Sequence, residues 1–339
     1  MKNNLDMPDQ RDQRRWNEIL GPYKRPDAKK ASYQLTSSVI AFVLLWSAML
    51  FSLEWSYGWT LLLAVLAAGM MVRLFIFQHD CGHGSFFRSR AANDAVGFFL
   101  GVLTLTPYHY WRRTHAVHHA TSGNLDRREL GDVSTLTVAE YQALPLKNRL
   151  AYRLYRNAFM LLVIGPVYQF VFKHRFPFDA PRTWKREWVS VMMTNLALVM
   201  LVVALGNMVG FSRFLLVQVP ITLLAGTAGL WLFYVQHQFE GTYWEREANW
   251  NFHEASIRGS SFYDLPAPLR WFTGNIGFHH VHHLSSLIPN YRLRQCMQEN
   301  PELHDVVRLS LWQSRKCARL KLWDEEHGKL IGFRELKAL

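Results

Sequence analysis

Apolar and charged positions divide this chain into long blocks. Ala31 to Leu53 has no charged side chain, and neither does Trp55 to Val72. A second pair of such blocks runs from Trp188 to Ser212 and from Phe214 to Gln236. A helix needs about 20 apolar residues to cross a bilayer core of roughly 30 Å. All four blocks reach that scale. Glu54 alone separates the first two and Arg213 the second two. The pattern therefore predicts four spans in two hairpins, over 31–53, 55–77, 188–212 and 214–236. Arg73, near the end of the second span, is expected to snorkel to the interface. The alternative is a soluble bundle of four buried helices, but soluble helices carry a charged face and these do not. Two shorter uncharged stretches, 95–108 and 157–172, read as interfacial helices; Gly165 and Pro166 break the second.

Composition adds mass outside the membrane. The chain is 50% hydrophobic over 339 residues, yet its mean hydropathy is −0.06. Much of it must sit in water. We read 1–30 as a basic N-terminal tail, 31–310 as the membrane domain and 311–339 as a C-terminal tail. The tail 1–30 is polar and charged, so no cleavable signal peptide is expected. The net charge is +12 and is unevenly placed. Arg11, Arg14, Arg15, Lys24, Arg25, Lys29 and Lys30 crowd the first tail, and Lys173, Arg175, Arg182, Lys185 and Arg186 precede the second hairpin. The hairpin linkers carry only Glu54 and Arg213. The positive-inside rule then puts both tails and the middle loop in the cytoplasm of a multi-pass inner-membrane protein. No nucleic-acid motif accompanies the basic residues, so nucleic acid is not expected as a partner. Cys81, Cys296 and Cys317 form no CxxC pair and fit a reducing compartment. No repeat of solenoid period is present.

The chemistry lies in the histidines. Fifteen are present, and most fall in three clusters: His79 and His83; His115, His118 and His119; and His279, His280, His282 and His283. Residues i, i+3 and i+4 share a helix face. His79 and His83 project together, as do His115, His118 and His119, and His279, His282 and His283. Eight convergent imidazoles exceed what one metal needs and suit two. Neutral imidazole suits iron, zinc, copper or nickel. One HxxxH pair arises readily by chance; two HxxHH boxes beside it in a polytopic chain do not. The boxes share one side of the membrane only if neither 95–108 nor 157–172 crosses it.

The motifs HDCGHGSFF, HAVHHATSGNLDRR, WLFYVQHQFE, GSSFYDLP and TGNIGFHHVHHLSSLIPNYRL resemble those of the membrane-bound fatty acid desaturases. They are most similar to bacterial acyl-lipid desaturases of the Bacillus delta-5 type, over roughly residues 35–310. The resemblance implies an all-α integral membrane protein: four transmembrane helices, interfacial helices and a cytosolic helical cap that holds a di-iron site. It implies as ligands His79, His83, His115, His118, His119, His279, His282 and His283, and adds His237 as a ninth. His280 is expected to pack rather than ligate, and His109 to lie at the interface; His174, His253, His304 and His327 are read as ordinary. Asp80, Asp94, Asp126, Asp132, Glu240 and Asn275 are candidates to hold the outer nitrogens of ligating rings. Asn275 is also a candidate to hold a water on iron. The aromatic stretches at Phe86–Phe87, Tyr108–Trp111 and Trp231–Tyr234 are candidates for tunnel walls or interfacial anchors.

The implied reaction introduces a cis double bond into acyl chains of membrane phospholipid, with two iron ions and O2 as co-substrate. No haem, flavin or nicotinamide motif is present, so the two electrons are expected from a separate donor such as ferredoxin or flavodoxin. Arg112, Arg113, Arg127, Arg128, Lys147 and Arg149 are candidates for its docking face, or for anionic headgroups. A di-iron hydroxylase of fatty acid, alkane or carotenoid is the alternative within the same chemistry. A non-catalytic metal-binding membrane protein is the alternative outside it.

Overall fold

The computed structural model describes residues 8–128 and 130–337. Residues 1–7 of the expected N-terminal tail and 338–339 of the expected C-terminal tail lie outside them. Among the described residues the fold is mostly helical, with five short strands. In chain order the helices are α1 (Pro8–Leu20), α2 (Ala28–Ser52), α3 (Tyr57–His83), α4 (Arg90–Leu103), α5 (Tyr108–Thr121), α6 (Val138–Ala143) and α7 (Leu146–Tyr155). Next comes α8 (Gly165–Val167), which lies between two π-helical runs, Met160–Ile164 and Tyr168–Lys173. Then follow α9 (Lys185–Val209), α10 (Phe211–His237), α11 (Phe252–Arg258), α12 (Ala267–Phe272), α13 (His279–Leu284), α14 (Asn290–Glu299) and α15 (Leu311–Ser314).

Four helices, α2, α3, α9 and α10, are long and apolar enough to cross a membrane. They form the two expected hairpins, with shifted ends. Asp27 starts α2 by accepting from the amides of Lys29 and Lys30 at 3.0 and 3.1 Å, a cap worth about 1 kcal/mol. The second span was expected to stop near 77, yet α3 continues to His83. Gly84 ends it in the left-handed conformation (φ 72°) and donates to the Asp80 and Cys81 carbonyls. At 1.5 Å per residue, the 27 residues of α3 extend about 40 Å. The first histidine pair therefore rides on the helix itself, where it outruns the bilayer core. Similarly, Arg213 belongs to α10, not to a linker, and pairs with Glu54 at the far hairpin tips.

The apolar window of α3 is 61% buried, against 22% for α2 and α9 and 28% for α10, so α3 is the central helix. It presents Ala64, Ala67 and Ala68 to its neighbours. Small residues allow the close approach that drives helix association where lipid is as apolar as the side chains. Arg73 departs from expectation. It does not snorkel: it is 5% exposed, donates to Ser38 Oγ at 3.1 Å and to the Trp271 carbonyl, and stacks 4.1 Å over the Trp271 ring. The inserted α12 reaches it first.

The first expected interfacial stretch becomes α4 and the turn after it. Leu105 in that turn has φ 57°, costly for a bulky side chain. Gln78 holds the turn, accepting from Thr104 Oγ1 at 2.6 Å and donating to the Thr106 carbonyl at 3.0 Å. The Leu105 carbonyl accepts from Arg175 at 2.6 Å. The second expected stretch, 157–172, falls largely within Met160–Lys173, which pairs with α7 across a 62° bend, as a broken span or a re-entrant loop.

The strands order the cap. Strands β1 (Leu136–Thr137), β4 (Leu322–Asp324) and β5 (Lys329–Ile331) form one sheet in the order β1-β4-β5. The first pair is parallel and the second antiparallel. Strands β2 (Phe262–Asp264) and β3 (Arg308–Ser310) form a parallel pair. Residues 322–324 and 329–331 are thus built into the sheet, and Cys317, Leu322 and Ile331 are buried. At the other end of the chain, α1 buries Trp16 and Leu20 in one cluster with Val281 and Leu284, behind the third histidine box.

Candidate metal centre

The structure gathers nine histidines at one end of α3 and α10. Their ring nitrogens fall into two groups. His79, His83, His115, His119 and His282 form the first, and His118, His237, His279 and His283 the second. Within each group one nitrogen per ring lies within 4.8 Å of all the others. These are the eight box histidines and His237. Among the described residues no carboxylate belongs to either group.

Helical spacing explains the division. In each HxxHH box the i,i+4 pair stays together: His115 and His119 in the first group, His279 and His283 in the second. The intervening i+3 histidine crosses over, so His118 joins the second group and His282 the first. Each box therefore serves both groups. α3 supplies His79 and His83 to the first, and the last residue of α10, His237, completes the second. The groups abut: the His119 and His283 rings stack at 4.2 Å.

The donor spacing fits bound metal. A metal–imidazole bond of about 2.1 Å places donors at right angles about 3.0 Å apart. His118 Nε2 and His279 Nε2 lie 3.1 and 2.9 Å from His237 Nε2. His115 Nε2 and His282 Nε2 lie 3.1 and 3.0 Å from His119 Nε2. Buried His83 Nε2 and His283 Nε2, one in each group, have no hydrogen-bond partner, a cost that ligation removes. Burial, and then the neighbouring imidazoles, hold His115, His119, His279, His282 and His283 well below the ordinary histidine pKa. The rings are neutral at pH 7 and keep a lone pair for a metal.

Outer nitrogens are held on three rings. His118 Nδ1 sits 2.5 Å from Asp132 Oδ1, and His79 Nδ1 3.3 Å from Asp80 Oδ1. His237 Nδ1 faces the Gly259 carbonyl at 3.1 Å. Of the six candidates for this task, only these two aspartates reach a ring. Asp94 binds Tyr108, Arg112 and Arg186, Asp126 binds Arg246, and Glu240 is exposed. Asn275 donates instead to the Asn290 carbonyl at 3.1 Å. Asn290 itself escaped the sequence reading. It is 1% exposed and donates to Asp80 Oδ2 from its backbone and side chain at 2.7 and 2.9 Å. Nothing in its spacing, seven residues past the third box, marks it.

His280 is buried but joins neither group, and burial pushes its pKa down to about 3. His109 stands outside as well, 3.4 Å from Arg186. Among the suggested aromatics, Trp111 stacks on His115 at 4.4 Å, and Phe233 lies 5.1 Å from His118. The remainder pack elsewhere, as Phe86 does on Phe77. The basic residues that are candidates for a donor or for headgroups are largely engaged: Arg112 with Asp94, Arg113 with Glu187, Arg127 with Glu247 and Arg128 with Glu140. The three cysteines are free and buried.

Residues 53–313 match the family model described as fatty acid desaturase. The chain is 45% identical to a fatty acid desaturase of Bacillus subtilis, over 96% of this chain and 92% of that protein. It is 28% identical to the sn-1 oleoyl-lipid 12-desaturase of Synechocystis, over 75% of this chain and 73% of that protein. It is 29% identical to the sn-1 acyl-lipid omega-3 desaturase (ferredoxin) of the same organism, over 71% and 68%.

Proposed function

The chain belongs to the fatty acid desaturase family, and we propose that it desaturates acyl chains of membrane lipids with two irons, dioxygen and electrons from a separate protein. The observation that carries this reading is the pair of all-imidazole groups, five rings and four, meeting at the ends of two membrane-length helices. Acyl-lipid substrate is supported by the names of the Synechocystis relatives, and a ferredoxin-like donor by one of them. The concentration of positive charge in the tails and middle loop supports a cytoplasmic cap.

The nine histidines are the proposed ligands. Bound there, iron supplies the one-electron and dioxygen chemistry that removes two hydrogens from adjacent acyl carbons. The balance takes two electrons from the donor and two protons from solvent, and one dioxygen leaves as two waters. The chain's own residues prepare for this. Asp132 and Asp80 hold the Nδ1 atoms of His118 and His79, so that each ring turns Nε2 inward. Burial keeps the second group away from water, with all four rings buried. Trp111 and Phe233 wall the rings on the α5 and α10 sides.

The test is gas chromatography–mass spectrometry of membrane fatty acids from a bacterial host that makes the protein together with a ferredoxin and its reductase. A new unsaturated chain is expected, with its position given by dimethyl disulfide adducts. His118→Ala should insert normally, lose iron and make no product. A hydroxy acid as the sole product would replace desaturation by hydroxylation. Full activity in His118→Ala would remove that residue from the ligand set.

A further inference from the structure

Arg156 follows the last turn of α7 and is 1% exposed, the largest of the fully buried side chains. Its five bonds end on neutral acceptors. Nη1 donates to the Ser134 carbonyl at 3.0 Å and to Thr135 Oγ1 at 3.1 Å. Nη2 donates to Gln238 Oε1 at 2.8 Å, to the Leu320 carbonyl at 3.1 Å and to the Tyr234 hydroxyl at 3.4 Å. Thr135 Oγ1 closes the network by donating to Gln238 Oε1 at 3.3 Å. Burying a cation without an anion is expensive, and apolar packing of similar volume is often as stable or more so. Its presence calls for a task that apolar packing does not perform. A planar guanidinium with five donors joins several chain segments in one fixed geometry.

Here the segments are the loop at 134–135, the end of α10, and the chain entering β4. Two of them adjoin the second histidine group. Asp132, two residues before Ser134, holds His118 Nδ1 at 2.5 Å. His237, one residue before Gln238, has its Nε2 3.1 Å from that of His118 and 2.9 Å from that of His279. No bond of Arg156 reaches a residue next to a first-group histidine.

We propose that Arg156 is a positioning residue for the second histidine group: it fixes the Asp132 loop against the end of α10 and so sets the spacing of His118 and His237. It touches neither ring. The inference rests on the reading of the two groups as metal sites. It separates them, because only one of the two depends on the Arg156 network.

Wild-type protein, Arg156→Met and Gln238→Leu would be purified in detergent and loaded with ferrous iron. Iron per chain would be counted by mass spectrometry, and the two affinities resolved by chelator competition. Helicity by circular dichroism and elution volume would report the fold. Both variants are expected to keep one site at wild-type affinity and to weaken the other about 10- to 100-fold, the range found for groups that orient metal-bound histidines. Two tight sites in a folded Arg156→Met would overturn the proposal. Equal weakening of both sites, the mark of general loosening, would overturn it as well. If Arg156→Met does not fold, Gln238→Leu decides on the same criteria, since it removes only the acceptor shared by Arg156 and Thr135 and leaves the arginine in place. A wild-type chain that holds fewer than two irons would fail at the earlier step, the two-site reading itself.

Discussion

At the scale of single residues, the groups that hold the rings separate function from scaffold. Asp132 approaches His118 Nδ1 at 2.5 Å, whereas Asp126 spends its carboxylate on Arg246 at 2.8 Å with both side chains about two-fifths exposed. Asp132→Asn should weaken iron at the second group by roughly 10- to 100-fold. Asp126→Asn should leave iron unchanged and cost at most about 1 kcal/mol. Chelator competition on the two variants checks both. Lys321 offers a pH-dependent case. It is 8% exposed and bonds the Arg156 carbonyl. Burial, and then the Arg156 guanidinium, push its pKa down from 10.5 to about 8. Between those values the unfolded chain binds the extra proton, so folding stability rises with pH across that window, and the full penalty applies below it. Lys321→Met should therefore raise the melting temperature at pH 7, by the equivalent of about 1–3 kcal/mol. The gap should close by pH 10.5. Thermal melts in detergent across that range test this, and an equal gap at both ends would refute the burial argument. The sequence marked eight rings by spacing and the ninth by resemblance, but not their division. The i, i+3 and i+4 positions share a face, and only the rotation of α5 and α13 against α3 and α10 decides which ring joins which group.

At the scale of elements, close approaches decide what each helix tolerates. A Cβ on Gly101 would lie 2.5 Å from the Thr106 carbonyl oxygen, a backbone atom that cannot swing aside. That backbone belongs to the turn leading into α5, and Gln78, which braces it, precedes His79. Gly101→Ala should cost about 1–3 kcal/mol or more and lower iron content with it. A Cβ on Gly229 in α10 would meet nothing within 4 Å, so Gly229→Ala should melt at or slightly above the wild-type temperature. Melting curves and iron content of the pair distinguish local crowding from a general dislike of alanine. Elements also show where a linear reading stops. Long charge-free blocks reveal spans because each residue must be apolar over some twenty positions. The ends follow caps, so the span expected to end near 77 runs on to His83, where Gly84 sets the stop. The tail past 310 carries no long apolar pattern. Its order comes from pairing β4 with β1, some 185 residues away in sequence, and such partners leave no local signature.

At the scale of the whole molecule, the histidine groups constrain the path of the chain through the membrane. The C-terminal ends of α3 and α10 carry His83 and His237, and the structure brings those ends to one centre. α10 returns from the crossing made by α9, so α9 must start on the side where α3 ends. Between His83 and Lys185 the number of crossings is therefore even. α4 has 14 residues and extends about 21 Å, too short for a core of roughly 30 Å. The bent pair of α7 and Met160–Lys173 would then be a lone crossing, which the parity forbids. It must enter and leave on the same side, and its 62° bend suits that path. Single cysteines test the argument, since the three native ones are buried and should resist an impermeant maleimide. Lys147→Cys in the first turn of α7 and Arg182→Cys beyond Lys173 mark the two ends of the bent pair at exposed positions, and Glu54→Cys marks the far hairpin tip. In spheroplasts only Glu54→Cys should be labelled. The other two should react only after lysis, and together. Labelling of one member of that pair without the other would mean that the bent segment crosses, and no arrangement of the remaining helices would then return His237 to the side of His83.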